Sequence, residues 1–283
     1  MGFVPRRLIG NLFRRLGYKI ERIKSKDDSH LYKDFSRESL EEKSFINIGA
    51  GNFKHKFWTN VDYGSEQYSK VQKEFVELNL TEKPKFPFEN NSIEIIYSSH
   101  TIEHIDDKSA INMINEAFRI LKPGGILRIT CPDANLLLNS VKNNVRSFWN
   151  WRYEWFTKRF NIKPNEIEIE DFLVREISTA RCRFFENVNE PLNPKEIREQ
   201  IKKMNDDLFL KWMIEKNTFD SNNPQFHINF WTFEKLNEIC IKAGFKNIYS
   251  SGYGQSLSTP LTNTKLFDNT HPKMSLYFEA RKE

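Results

Sequence analysis

Two glycines and an aspartate carry the first chemical signal. In FINIGAGNFKHKFWTNVD, residues 45–62, an apolar run ends at Gly49 and Gly51, and Asp62 closes the next apolar stretch. Glycines after a strand let backbone approach a ligand, and a carboxylate at the next strand end can hold ribose hydroxyls. A dinucleotide site also needs a third glycine and a helix whose N-terminus faces a pyrophosphate. Here position 54 is Lys54, and only residues 52–60 separate Gly51 from Val61, room for about two helical turns. A nucleoside without phosphates does not need that helix dipole. A sulfonium nucleoside, S-adenosylmethionine, fits the clipped motif better than NAD.

The remaining chemistry falls at other strand ends. Asn79-Leu80, Ser98 to Thr101 and Cys131 to Asp133 all follow apolar runs, where ligands bind in open α/β sheets. Asp62 would accept from ribose, and Asn79 would offer its amide to an adenine edge. Ser98, Ser99 and His100 would complete the pocket wall. Methyl transfer from a sulfonium needs alignment above all, and an oxygen acceptor also needs a base. The candidate bases are His100, His104, Asp133 and His227; His227 is favoured because it lies where an acceptor would enter. Glu103-His104 reads more as architecture, and Asp133 as a turn residue or substrate partner. The histidines lack metal-ligand spacing, so a metal-free reaction is expected.

These positions presuppose alternating strands and helices. Residues 45–48, a strand ending at 60–62, and 74–80, 93–99 and 126–132 read as five strands. A helix capped by Asp106 or Asp107 carries Ile111, Ile114, Phe118 and Leu121 at helical spacing and stops at Lys122-Pro123-Gly124-Gly125. Residues 134 to about 225 break the rhythm and read as a helical insertion. Within it the aromatic run 147–156 fits a packed core better than a stacking surface for a sugar or a sulfonium. The basic residues of 193–216 mark a solvated helix face. A helix ended by Gly244 and two strands, 246–252 and 275–282, close the chain. The expected fold is α/β: a Rossmann-like, mostly parallel sheet between helices.

Composition bounds the partners. The 283 residues include 24 Phe, enough for a large core, and net charge is +5. Residues 1–26 hold eight Lys/Arg against Glu21 alone, a charge of +7 that leaves −2 for the rest. A basic nucleic-acid groove is therefore not expected on the body. The opening segment reads as a basic amphipathic helix with Val4, Leu8, Leu12, Leu16, Ile20 and Ile23 on one stripe. It suits either docking on its own domain or contact with an anionic membrane. Residues 25–43 read as a linker, so 1–43 stand apart from a domain at 44–283. The cysteines Cys131, Cys182 and Cys240 are dispersed, which fits a reducing cytosol, with peripheral contact at the inner membrane face as a further expectation. No secretory signal or membrane-spanning run is expected from the sequence.

INIGAGN, NVD, FPFENNSIEIIYSSHTIEHI and EAFRILKPGGILRITCPD together resemble class I methyltransferases of the type 11 group. The likeness is strong over about 44–133 and returns at 227–245. It implies a seven-stranded sheet with the last strand antiparallel, binding S-adenosylmethionine and releasing S-adenosylhomocysteine. Gly49, Ala50 and Gly51 match the methionine-side loop, Asp62 the ribose carboxylate and Asn79-Leu80 the adenine contact. Asn47 stands where many members carry an acid, and Asn79 where many carry Asp. The short gap from glycine to aspartate resembles a subgroup associated with glycan biosynthesis, so O-methylation of a sugar or glycan intermediate is the leading expectation. RNA or DNA methylation is the alternative within enzymes, weakened by Ser98-Ser99-His100-Thr101 in place of a (D/N/S)PP(Y/F) signature. A catalytically silent binding protein is the alternative outside them, and the intact glycines and Asp62 argue against it.

Overall fold

Phe45–Ile48 (β1) is buried at all four positions, the pattern of a strand covered on both faces of a parallel sheet. It pairs in parallel with Trp58–Asp62 (β2) on one side and with Ile93–Ser99 (β4) on the other. Val76–Glu77 (β3) extends the sheet beyond β2, and Leu121–Pro132 (β5) lies beyond β4. Ser275–Arg281 (β7) runs antiparallel to both β5 and Asn247–Ser250 (β6), giving the order β3-β2-β1-β4-β5-β7-β6. Only the last strand is reversed. Strand order changes direction between β1 and β4, so the crevice for a ligand opens at their carboxyl ends.

The computed structural model describes residues 27–64, 75–186, 188 and 190–283. The helix expected over 1–26 lies outside them. The chain divides into two units after Phe35. In the first, Ser29–Tyr32 form one 3₁₀ turn. In the second, the stretch expected to be linker up to residue 43 includes a short helix, Arg37–Glu41 (α1), capped by Ser36. Its Ser39 is buried and donates to Glu94 at 2.6 Å, while Lys122 reaches both, so this end is fastened to the sheet.

Asp107–Ile120 (α2) starts at Asp106, whose carboxylate accepts from Ser109 N at 2.7 Å. Its buried face is Ala110, Met113, Ile114, Ala117 and Ile120. Ile111, expected on that stripe, is 41 % exposed, because the alanines and Met113 centre the contact one residue round. Leu121 already belongs to β5, and the Lys122-Pro123-Gly124-Gly125 stop continues as ladder, with Gly124 N donating to Lys282 O at 2.7 Å.

Ala134–Lys142 (α3), Asn150–Phe160 (α4), Ile169–Ile177 (α5), Pro194–Lys203 (α6) and Asp206–Ile214 (α7) form the insertion. They build a second core around Trp149, Phe156, Phe172, Phe209 and Met213. Trp151, Tyr153 and Trp155 pack against it, so the aromatic run serves that core. Phe233–Ala243 (α8) ends at Gly244, φ +110°, and joins α2 over the sheet's own core. Buried Arg128 of β5 binds Asp268 at 2.5 Å and Glu279 at 2.8 Å, and reaches Gly252 O at 3.0 Å. It thereby pins the 251–268 loop to the sheet.

Candidate functional site

The connection from β1 to β2 contains turns and no helix. The expected two helical turns are absent, and with them any helix dipole for a pyrophosphate. Gly49 N donates to Val61 O at 2.8 Å, which bends the chain across the end of β2. Gly49 has φ +69°, and a Cβ there would sit 2.0 Å from Thr101 Oγ1. Gly51 has φ +51°, and a Cβ there would meet nothing within 4 Å. One glycine answers a close approach of two strands; the other borders open space.

Asp62 closes the bend. Its Oδ2 accepts from Gly51 N and its Oδ1 from Tyr63 N, both at 2.7 Å. Each oxygen keeps a further lone pair, which suits a pair of neighbouring hydroxyls. Burial pushes its carboxyl up, and the two N–H groups draw it partly back.

A cleft opens beside these residues. Gly49, Gly51, Asp62, Tyr63, Leu78, Asn79, Leu80, Thr81, His100, Thr101, His104 and Ile105 line it from the core, and Phe219, Pro224 and Gln225 from the insertion. Tyr63 and Phe219 meet edge to face at 6.2 Å. Asn79 caps a 3₁₀ turn: its Oδ1 accepts from Thr81 N and Oγ1, and its Nδ2 donates to Glu82. One amide hydrogen remains for a ligand. A second cleft lies across the glycine bend, lined by Asn47, Ala50, Tyr97, Ser99 and Lys265, and shares Gly49 and Gly51 with the first. Asn47 Oδ1 and Ser98 Oγ are buried without a hydrogen-bond partner among the described residues. The bend is thus reachable from both sides, with a carboxylate on one and amide and hydroxyl groups on the other.

His100 sits at the end of β4 with φ +51°, a conformation non-glycine residues rarely adopt. Its Nε2 lies 2.8 Å from Ser275 Oγ, and its Nδ1 3.0 Å from Glu103 Oε1. His104 reaches the cleft wall, its ring 4.8 Å from that of His227 in an edge-to-face contact. Burial holds both rings below the usual imidazole range, His227 far below it. Burial acts to raise the Glu103 carboxyl, but the approach of His100, chiefly, outweighs it and holds it low.

The four candidate bases differ in access to the cleft, and His100 is at its wall. His104 lines the cleft. His227 is 6 % exposed, with its Nδ1 on Glu176 O at 2.7 Å. Asp133 caps α3 through Leu136 N, and burial raises its carboxyl. Sequence reading missed Tyr63, Ile105, Phe219, Pro224 and Gln225 as lining residues. Tyr63 adjoins Asp62 and could have been inferred; Phe219 and Gln225 arrive from the insertion, which carries no motif.

A family model described as a methyltransferase domain, of the type 11 group, matches residues 50–129. That match takes in the glycine bend after Gly49, Asp62 and the strands from β2 into β5. No curated protein matches the chain. Among solved structures, this chain is similar to an Archaeoglobus fulgidus SAM-dependent methyltransferase at 13 % identity and TM-score 0.40, covering 98 % of this chain and 94 % of that one. It is also similar to a Thermotoga maritima SAM-dependent methyltransferase described as a possible histamine N-methyltransferase. That match has 16 % identity and TM-score 0.38, over 84 % and 81 % of the two chains. Both likenesses are distant and say nothing of an acceptor.

Proposed function

We propose that the chain transfers a methyl group from S-adenosylmethionine to a hydroxyl of a sugar or glycan intermediate. The observation that carries the cofactor reading is Asp62, held by Gly51 N with spare lone pairs on both oxygens beside open space. The residues present fit an adenosyl group: Asp62 for the ribose, Leu80 and the free Asn79 hydrogen for adenine, and Asn47 with Ser99 across the bend for the amino-acid end. Bound there, S-adenosylmethionine supplies a methyl already activated on a sulfonium. The chain's share is to align donor and acceptor, worth about 7–11 kcal/mol in favourable cases.

The acceptor class rests on the insertion. A polar cleft with Phe184, Phe185, Arg159, Asp220 and Asn223 adjoins the first one through Gln225. Rings among hydrogen-bonding groups suit a hydroxyl-rich ring better than an apolar acceptor. Residues 1–26 belong to the same proposal as a contact with anionic membrane, supported by eight Lys/Arg against one Glu.

S-adenosylhomocysteine is expected to raise the melting temperature, and Asp62→Ala to abolish that rise; an equal rise in the variant would refute the ribose assignment. Labelled methyl from S-adenosylmethionine is expected in cell-envelope glycans; label in RNA alone would refute the acceptor class.

A further inference from the structure

Residues far apart in sequence meet beneath the cleft wall. Glu103 and His104 stand in the 3₁₀ turn Ile102–His104 after β4. His227 comes from the segment before α8, and the N–H groups of Ile228 and Asn229 both donate to Glu103 O, at 2.8 and 3.2 Å. The two segments are therefore clamped main chain to main chain. His104 Nδ1 lies 3.1 Å from Phe226 O, and His227 Nδ1 2.7 Å from Glu176 O. A carbonyl can only accept, so each ring carries its proton on Nδ1 and keeps a lone pair on Nε2. Ligating imidazoles are held in this way.

Glu103 is 1 % exposed; among the described residues its closest side-chain neighbour of possible positive charge is His100, whose Nδ1 lies 3.0 Å from Oε1, and neither oxygen accepts a well-aligned hydrogen bond. His227 Nε2 faces Oε1 at 4.0 Å. One donor atom from each of Glu103, His104 and His227 lies within 4.8 Å of the other two. Beyond His100, the carboxylate faces the lone pairs of His104 and His227, an arrangement that is costly unless something positive lies between them. The neighbouring guanidiniums do not fill that role, since Arg152 and Arg175 are turned to Glu176.

We propose that Glu103, His104 and His227 bind one divalent cation of the zinc class. Two imidazole nitrogens and one carboxylate suit zinc or cobalt, whereas calcium and magnesium prefer oxygen sets. At zinc–ligand distances of about 2.0–2.2 Å the donors must draw together by roughly 1 Å. Three protein ligands leave a coordination position for water. The cation uses the Nε2 lone pair that a base would use, so His104 acts here as a ligand. The site also joins the turn after β4 to the segment that carries the insertion back to α8.

The test takes the full chain, stripped with a chelator and titrated with cobalt(II). One equivalent is expected to give the visible ligand-field absorption of a low-coordinate nitrogen–oxygen site, and zinc to bleach it. Glu103→Gln and His104→Gln are each expected to weaken cobalt binding at least tenfold, while far-UV circular dichroism and a cooperative melting transition without ligand report that the variants remain folded. Absence of saturable one-equivalent binding by the wild-type chain would overturn the proposal and leave a bridging water as the occupant. So would equal cobalt affinity in wild type and both folded variants.

Discussion

The two glycines of the bend give a test in which neighbouring substitutions must behave differently. Gly49→Ala places a methyl 2.0 Å from Thr101 Oγ1 and 2.7 Å from its Cγ2, at φ +69°. The left-handed backbone costs an alanine about 1–2 kcal/mol, and forcing the threonine aside about 1–3 kcal/mol more. The total is about 2–5 kcal/mol, on the order of 10 °C in melting temperature for a domain of this size. Gly51→Ala has φ +51° but no clash, so only the backbone cost of about 1–2 kcal/mol applies. Its methyl enters the space beside Asp62 instead, and should weaken S-adenosylhomocysteine by roughly 5–150-fold, the equivalent of about 1–3 kcal/mol. Differential scanning calorimetry and isothermal titration separate the two effects. Thr101→Ala should restore part of the stability lost in Gly49→Ala, because it removes the 2.0 and 2.7 Å contacts but leaves the Cβ contact at 2.9 Å and the backbone strain. Equal stability of the two alanine variants, or strict additivity with Thr101→Ala, would refute the reasoning.

Asp62 makes cofactor affinity pH-dependent. Burial raises the carboxyl in the free protein, and donation by ribose would lower it in the complex. Affinity should therefore be complete above the free-state pKa and fall as pH drops through it, beginning above the range of an ordinary aspartate. Titration of S-adenosylhomocysteine binding against pH checks this, with Asp62→Asn expected to be flat. Arg128→Leu should cost about 3–5 kcal/mol in urea unfolding, because Asp268 and Glu279 are left as buried charges without a counterion; a loss below about 1 kcal/mol would discount the pinning role. Deleting residues 1–26 should leave cofactor binding intact and reduce co-sedimentation with anionic vesicles, and failure of the full-length chain to sediment would remove the membrane reading.

Local pattern made much of the sheet legible. β1 and β4 are short apolar runs bounded by turn residues, and their limits match the sequence reading, as does the cap at Asp106. The face of α2 was less legible, because small residues such as Ala110 and Ala117 bury as well as large ones where a helix lies close to a sheet.

By itself the sequence determined the glycine bend and its carboxylate, because both depend on residue type at short range. Left-handed backbone favours glycine, and a strand end places Asp62 beside it whatever the rest of the chain does. Only the tertiary structure decided which histidines meet. His227 shows no ligand spacing to His104 along the chain, and the two rings approach because the insertion returns to the sheet between them. The same return set Phe219 and Gln225 over the cleft and buried Glu103 against His227. Contacts of that range follow from how two cores pack on one sheet, which no local pattern encodes.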